Sequence, residues 1–227
     1  ELVQISGEGA EGFELGDTVV AQELLTCGRC DACAKGEDNV CEHLKIIGVH
    51  ADGGFAEYVR VKTRKMYRVP KSVDLRRAAL IEPLAVAVHD VRMSGLKIGE
   101  SALIVGGGPI GQLCAQLAAK FGAAELTLSE PVESRCELAK KIGVEHIINP
   151  ITEDVYERAM EITNGLGYDV IIECSAVPSA AETVLKCTSK YANLLYVAQF
   201  PTDYELPLNL FEYSYMRQVN VTGMYCA

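Results

Sequence analysis

The sequence predicts an α/β protein, a doubly wound parallel sheet joined to a small β domain stapled by a metal. Three observations carry this reading. From Ala102 onward, short apolar runs alternate with helix-spaced stretches, the βαβ rhythm of a parallel sheet. The run Val105-Gly106-Gly107-Gly108-Pro109-Ile110-Gly111 joins the first apolar run to the first helix-spaced stretch. Cys27, Cys30, Cys33 and Cys41 lie within fifteen residues, a spacing that can close a tetrahedron around one soft or borderline cation.

In chain order, residues 1–75 read as β and loop. Phe13 to Asp17 is a turn and Thr18 to Ala21 a short buried strand. The cysteine lobe, 27–41, follows. Asp52-Gly53-Gly54 reads as a turn that uses glycine's positive φ. Phe55 to Val61 alternates as a strand does, and Met66 to Val69 suggests another. Residues 76–93 connect to the next domain; helical spacing runs from Leu75 to Met93 with Pro83 inside it, and Ser94-Gly95 ends it.

Residues 94–227 then alternate. Strands are expected at Ala102–Val105, Glu125–Ser129, His146–Ile148, Asp169–Cys174, Asn193–Ala198 and Val219–Gly223. Helices are expected at Ile110–Phe121, Glu133–Ile142, Glu153–Ile162 and Ser179–Cys187. Gly143 closes the second of these helices.

Composition narrows the function. The chain has 227 residues, 49% of them hydrophobic, and a formal net charge of −10. That balance argues against nucleic acid or an anionic membrane as a partner, since both reward basic patches. Lys62, Arg64, Lys65 and Arg68 form a local basic run and read as a solvated face. No apolar run approaches the eighteen residues of a membrane span. Cys114, Cys136, Cys174, Cys187 and Cys226 are scattered through predicted elements or their edges, as free thiols in a reducing cytoplasm are.

The clustered cysteines admit three readings. A disulfide group fits poorly without a secretory segment. An iron–sulfur run begins similarly, but its fourth cysteine usually follows three residues on with a proline after it. Here seven residues intervene and Glu42 follows. Structural zinc, held by Cys27, Cys30, Cys33 and Cys41, fits the spacing; four protein ligands leave that ion no open position for chemistry.

The glycine run reads as a phosphate loop. Gly106 allows the tight turn, Gly108 leaves room for a pyrophosphate, and Gly111 lets the helix pack on the strand. Pro109 and Ile110 open that helix, whose free N–H groups face phosphates. Glu130 lies nineteen residues beyond Gly111, at the end of the next strand. Its carboxylate can bind ribose hydroxyls and repel a 2′-phosphate, which favours NAD over NADP. Arg135 stands close enough in sequence to soften that preference.

Together these features resemble the zinc-dependent medium-chain alcohol dehydrogenase family, in its polyol, sorbitol and sugar-acid branch. The likeness covers the whole chain. It rests on Gly16-Asp17, the cysteine lobe, Gly53-Gly54-Phe55-Ala56-Glu57-Tyr58, Glu82-Pro83-Leu84-Ala85, the Gly106–Gly111 loop and Asp169-Val170-Ile171-Ile172-Glu173. The resemblance implies a Rossmann NAD-binding domain and a partial GroES-like domain carrying the zinc lobe. It implies hydride transfer from a small alcohol to NAD, with homodimeric or homotetrameric assembly. By resemblance, Glu82 lies in or beside a catalytic zinc's shell; a helix-entry carboxylate is the alternative. His89, seven residues on, reads as a packing histidine.

Family members also carry a cysteine upstream of the lobe, a Gly-His-Glu motif, and a return of the chain after the last strand. This sequence contains none of them. The expectation is therefore a dehydrogenase for the parent protein, truncated here at both ends, with the activity of the 227-residue chain left open. A non-catalytic dinucleotide-binding or assembly module is the competing reading, and a zinc-lobed nucleic-acid binder is disfavoured by charge.

Overall fold

The computed structural model describes residues 1–6 and 12–225. The chain divides into two compact units, at the step from Glu82 to Pro83.

In the first unit β1 (Val19–Ala21) pairs antiparallel with a later strand. β2 (Leu24–Leu25) leads into the cysteine lobe, which contains α1 (Asp31–Lys35), and β3 (Lys45–Ile46) returns antiparallel against β2. β4 (Met66–Arg68) is the partner of β1. Lys65, just before β4, is buried, and its ammonium donates to Gln22 Oε1 and Asp38 Oδ2, each at 2.8 Å. A buried cation with two oxygen partners ties the lobe to the strands beside it. α2 (Leu75–Ala78) follows, capped by the Asp74 carboxylate on the Arg77 N–H at 3.0 Å.

The second unit begins within α3 (Ile81–Met93). It continues β5 (Ser101–Val105), α4 (Pro109–Phe121), β6 (Glu125–Ser129), α5 (Glu133–Lys141), β7 (His146–Ile148), α6 (Val155–Ile162), β8 (Tyr168–Glu173), α7 (Pro178–Lys186), β9 (Thr188–Tyr196) and β10 (Asn220–Gly223). All six strands are parallel, in the order β7-β6-β5-β8-β9-β10. The first strand lies centrally and the order reverses between β5 and β8, so the crevice at their carboxyl ends is where such sheets hold ligands.

Strand alternation builds a core on each face. Ala102 and Ile104 pack with Ala87, Val91, Cys114 and Ala118, while Leu103 and Val105 pack with Ala159, Ile171, Val184 and Leu185. A strand buried on both faces must be apolar throughout, which explains the unbroken Ala-Leu-Ile-Val of β5.

The structure departs from the sequence-based expectations at several places. Phe55–Val61 is not a strand: it has no partner among the described residues, and Phe55 and Tyr58 are exposed. Alternation alone cannot make a strand where no sheet edge and no apolar surface receive it. The turn near Gly53 has its positive φ at Gly48 (+87°) rather than at Gly53 or Gly54. Gly53 is needed for a different reason, since a Cβ there would stand 2.5 Å from Gly48 Cα. The expected helix over Leu75–Met93 is two helices, broken after Ala78. Pro83 thereby sits in the first turn of α3, where its missing N–H costs no intrahelical bond. β9 begins five residues earlier than expected, passing through Tyr191 at φ +61°. Cys226 lies outside the described residues.

Candidate functional site

The glycine loop leaves the end of β5 and enters α4. Gly106 has φ +91°, and its N–H donates to the Ser129 carbonyl at 2.8 Å, binding the turn to β6. A Cβ on Gly111 would lie 1.8 Å from the Gly106 carbonyl oxygen, so only glycine allows α4 to start this close beneath the turn. Gly108 is the N-cap of α4 in extended conformation, and a Cβ added to it would meet nothing within 4 Å. That open side of the loop is where an anion can approach backbone N–H groups. Pro109 is the first residue of α4, where it gives up no needed donor. Ile110 packs into the core on the α4 face of the sheet. The first turn of α4 thus presents free N–H groups and the positive end of the helix dipole, and the residues fit a dinucleotide's pyrophosphate.

Glu130 follows β6 and is 2% exposed. Its Oε2 accepts from the Gly107 N–H at 2.6 Å and its Oε1 from the Val132 N–H at 2.8 Å. Arg135, on α5, is half-exposed and brings Nη1 to 3.5 Å from Glu130 Oε2. The sequence reading missed Gly107 and Gln112. Gln112 is buried in α4 and donates Nε2 to the carbonyls of Gly107 (3.3 Å) and Arg135 (2.9 Å). A glutamine among the otherwise apolar residues from Pro109 to Ala115 was the available signal.

The end of β8 closes the other side. Glu173 is fully buried; its Oε1 accepts from Ser175 N at 2.7 Å and from the Ser175 hydroxyl, while Oε2 has no partner. Burial raises its pKa, against the hydrogen bonds from Ser175. Ser175 backs directly onto Gly106, where a Cβ would come within 3.0 Å of its Cα.

In the first unit the sulfur atoms of Cys27, Cys30, Cys33 and Cys41 all lie within 4.8 Å of one another. Cys27 and Cys33 are 4.0 Å apart, and Cys30 and Cys41 3.8 Å. Tetrahedral zinc–sulfur bonds of about 2.3 Å set sulfurs about 3.8 Å apart, so the donor set fits that ion. The Cys27 N–H also donates to the Cys41 sulfur at 3.3 Å. Backbone N–H groups of Cys33 and Glu42 draw Cys30 down to about 6, whereas desolvation and the Cys30 sulfur push Cys33 up to about 12. Four thiols crowded this way cannot all ionise unaided; a divalent cation removes the conflict.

Glu82 stands in the first turn of α3, and its pKa is raised by burial and by Glu23. Among the described residues no second group of three or more His, Cys, Asp or Glu side chains comes together. His89 is half-buried on the same helix.

Residues 109–227 match the family of zinc-binding dehydrogenases, and residues 2–71 match the alcohol dehydrogenase GroES-like domain. The chain belongs to the zinc-type medium-chain dehydrogenase/reductase family. Its second unit is the Rossmann-type sheet, and its N-terminal region is GroES-like and carries the four-cysteine cluster. A 2-dehydro-3-deoxy-L-galactonate 5-dehydrogenase of Pseudoalteromonas atlantica is 40% identical over 96% of this chain and 62% of its own. An L-threonine 3-dehydrogenase of Pyrococcus horikoshii is 41% identical over 92% of this chain and 60% of its own. The chain thus spans about three fifths of the length of these curated relatives. A Sinorhizobium meliloti protein assigned as a zinc-binding dehydrogenase and bound to NADP superposes with a TM-score of 0.92 at 31% identity, covering 98% of this chain and 65% of that one. The dehydrogenase rspB of Escherichia coli, in complex with NADH, superposes with a TM-score of 0.88 at 26% identity, covering 97% and 64%. No helix among the described residues is long and apolar enough to cross a membrane.

Proposed function

We propose that the second unit binds NAD and that the protein belongs to an enzyme moving a hydride between NAD and a secondary hydroxyl of a polyol, sugar acid or similar small alcohol. The observation that carries the cofactor reading is the open face of Gly108 at the start of α4, flanked by the buried carboxylate of Glu130. Bound NAD supplies the hydride acceptor. This chain's residues supply its placement. Gly106, Gly108, Pro109, Ile110 and Gly111 cradle the pyrophosphate, Glu130 faces the adenosine ribose, and Arg135 lies at the same end. Cys27, Cys30, Cys33 and Cys41 hold a structural zinc.

The substrate class rests on relatives. Two names specify carbon 5 of a sugar-acid derivative and carbon 3 of threonine, both interior carbons bearing secondary hydroxyls. A third relative, 36% identical, is a sorbitol dehydrogenase. Assembly into homodimers or homotetramers belongs to the same proposal, since β10 leaves one edge of the sheet exposed.

The test is metal analysis together with NADH titration by fluorescence on the 227-residue chain. One zinc per chain and saturable NADH binding are expected, with binding lost in Gly111→Val. A folded chain that shows no saturable NADH binding would sink the cofactor reading. For the substrate class, the complete reading frame is assayed for NADH formation on polyols, sugar acids and L-threonine; silence across that panel by zinc-loaded protein would reject it.

A further inference from the structure

We infer that Gly107 and Gln112, both outside the three-glycine fingerprint, are positioning residues that fix how strongly the site prefers a ribose 2′-hydroxyl over a 2′-phosphate. The inference rests on the proposal above that Glu130 faces the ribose. Four residues close a ring there. The Gly107 N–H donates to Glu130 Oε2 at 2.6 Å. The Gly107 carbonyl accepts from Gln112 Nε2 at 3.3 Å, and the same nitrogen donates to the Arg135 carbonyl at 2.9 Å. Arg135 Nη1 comes back to Glu130 Oε2 at 3.5 Å.

Each member is held by chemistry with one solution. A Cβ on Gly107 would stand 2.9 Å from both Cγ and Oε2 of Glu130, so any larger residue displaces the carboxylate. Gln112 spends its amide nitrogen on two carbonyls. The flipped amide would aim an oxygen at both, so its orientation is fixed. Its own Oε1 is buried and unpartnered, an expense that marks the residue as retained for its NH2 group. Gln112 therefore anchors the glycine loop and the start of α5 to one point. Glu130, gripped from the loop by Gly107 and from the N-cap of α5 by Val132, cannot swing aside to admit a phosphate dianion. Arg135, directed at Glu130, is not released to meet that phosphate. Opening the ring frees both groups at once: the anion that repels phosphate moves off, and the cation that attracts it becomes available.

The experiment compares dissociation constants for NADH and NADPH, read by nicotinamide fluorescence, in the wild-type chain, Gln112→Met, Gly107→Ala and Glu130→Gln. Methionine keeps the length of glutamine and removes the unpartnered oxygen, so Gln112→Met should fold as the wild type does, checked by thermal melting. The ratio Kd(NADPH)/Kd(NADH) is expected to fall about tenfold or more in Gly107→Ala, where the contact at the Glu130 carboxylate is displaced, and about threefold or more in Gln112→Met, which loses bonds to neutral carbonyls. Equal weakening of both cofactors would mean that the ring supports only the fold, and would overturn the inference. Glu130→Gln separates the two readings. If it collapses the ratio and the ring variants do not, the inference fails alone; if it leaves the ratio unchanged, Glu130 does not face the ribose and both readings fall.

Discussion

At the scale of single residues, the phosphate loop is tightest at Gly111. Gly111→Ala drives a methyl to 1.8 Å from a backbone oxygen, which no rotamer relieves. A loss of about 2 kcal/mol or more in urea unfolding is expected, as for overpacking in a close-packed interior, with NADH binding lost. Asp90 supplies a pH-dependent counterpart. It is 1% exposed on α3, with the Cys114 sulfur 4.0 Å from Oδ2, and burial raises its pKa to about 6 from 3.8. Well below pH 3.8 the carboxyl is protonated in the folded and unfolded chain alike, and contributes nothing. As pH rises towards 6, the unfolded chain loses this proton first, so the group destabilises the fold progressively, by about 3 kcal/mol once both states are ionised. Asp90→Asn should therefore be the more stable protein at pH 7.5 and lose most of the advantage by pH 4 and the rest by pH 3. Urea unfolding of both chains across that range checks it; parallel pH profiles would refute the assignment.

At the scale of elements, what the sequence showed and what it hid divide along physical lines. Ala102-Leu103-Ile104-Val105 and the glycines after it were legible because a strand buried on both faces and a turn without Cβ space each demand particular residues. The start of α6 was missed by two residues: the helix was expected from Glu153, but the Asp154 carboxylate accepts the Glu157 N–H at 2.9 Å as its N-cap and the helix begins at Val155. The split before Pro83, the strand at Thr188 and the coil at Phe55–Val61 were not legible, because each depends on what the rest of the chain offers as a partner. The Glu130–Gly107–Gln112–Arg135 ring was hidden for the same reason: its contacts join residues 23 apart. Lys65 is another such case, read as part of a solvated basic run yet buried between Gln22 and Asp38. Replacing it by methionine keeps its bulk but leaves Asp38 without its cation. A cost of about 1–3 kcal/mol confined to the first unit is expected, measured as faster hydrogen exchange around β1 and β4 with β5–β9 unchanged.

At the scale of the whole molecule, the two units are stabilised by different means. The buried apolar residues of the Rossmann sheet come entirely from positions 87–219. In the first unit the described apolar core amounts to Leu24, Cys41, Val69 and Ala78, and one of these is a metal ligand. A β region with so little to bury depends on its staple, because ligand binding free energy there is folding free energy. Chelating the zinc should therefore unfold the lobe and loosen β1–β4, while NADH binds the second unit with its dissociation constant within about twofold of the untreated value. Hydrogen exchange read before and after chelation, alongside the fluorescence titration, decides it. Loss of protection restricted to residues 13–71 fits two separately supported units. A collapse that reaches β5 and β8 and abolishes NADH binding would refute the separate support of the two units.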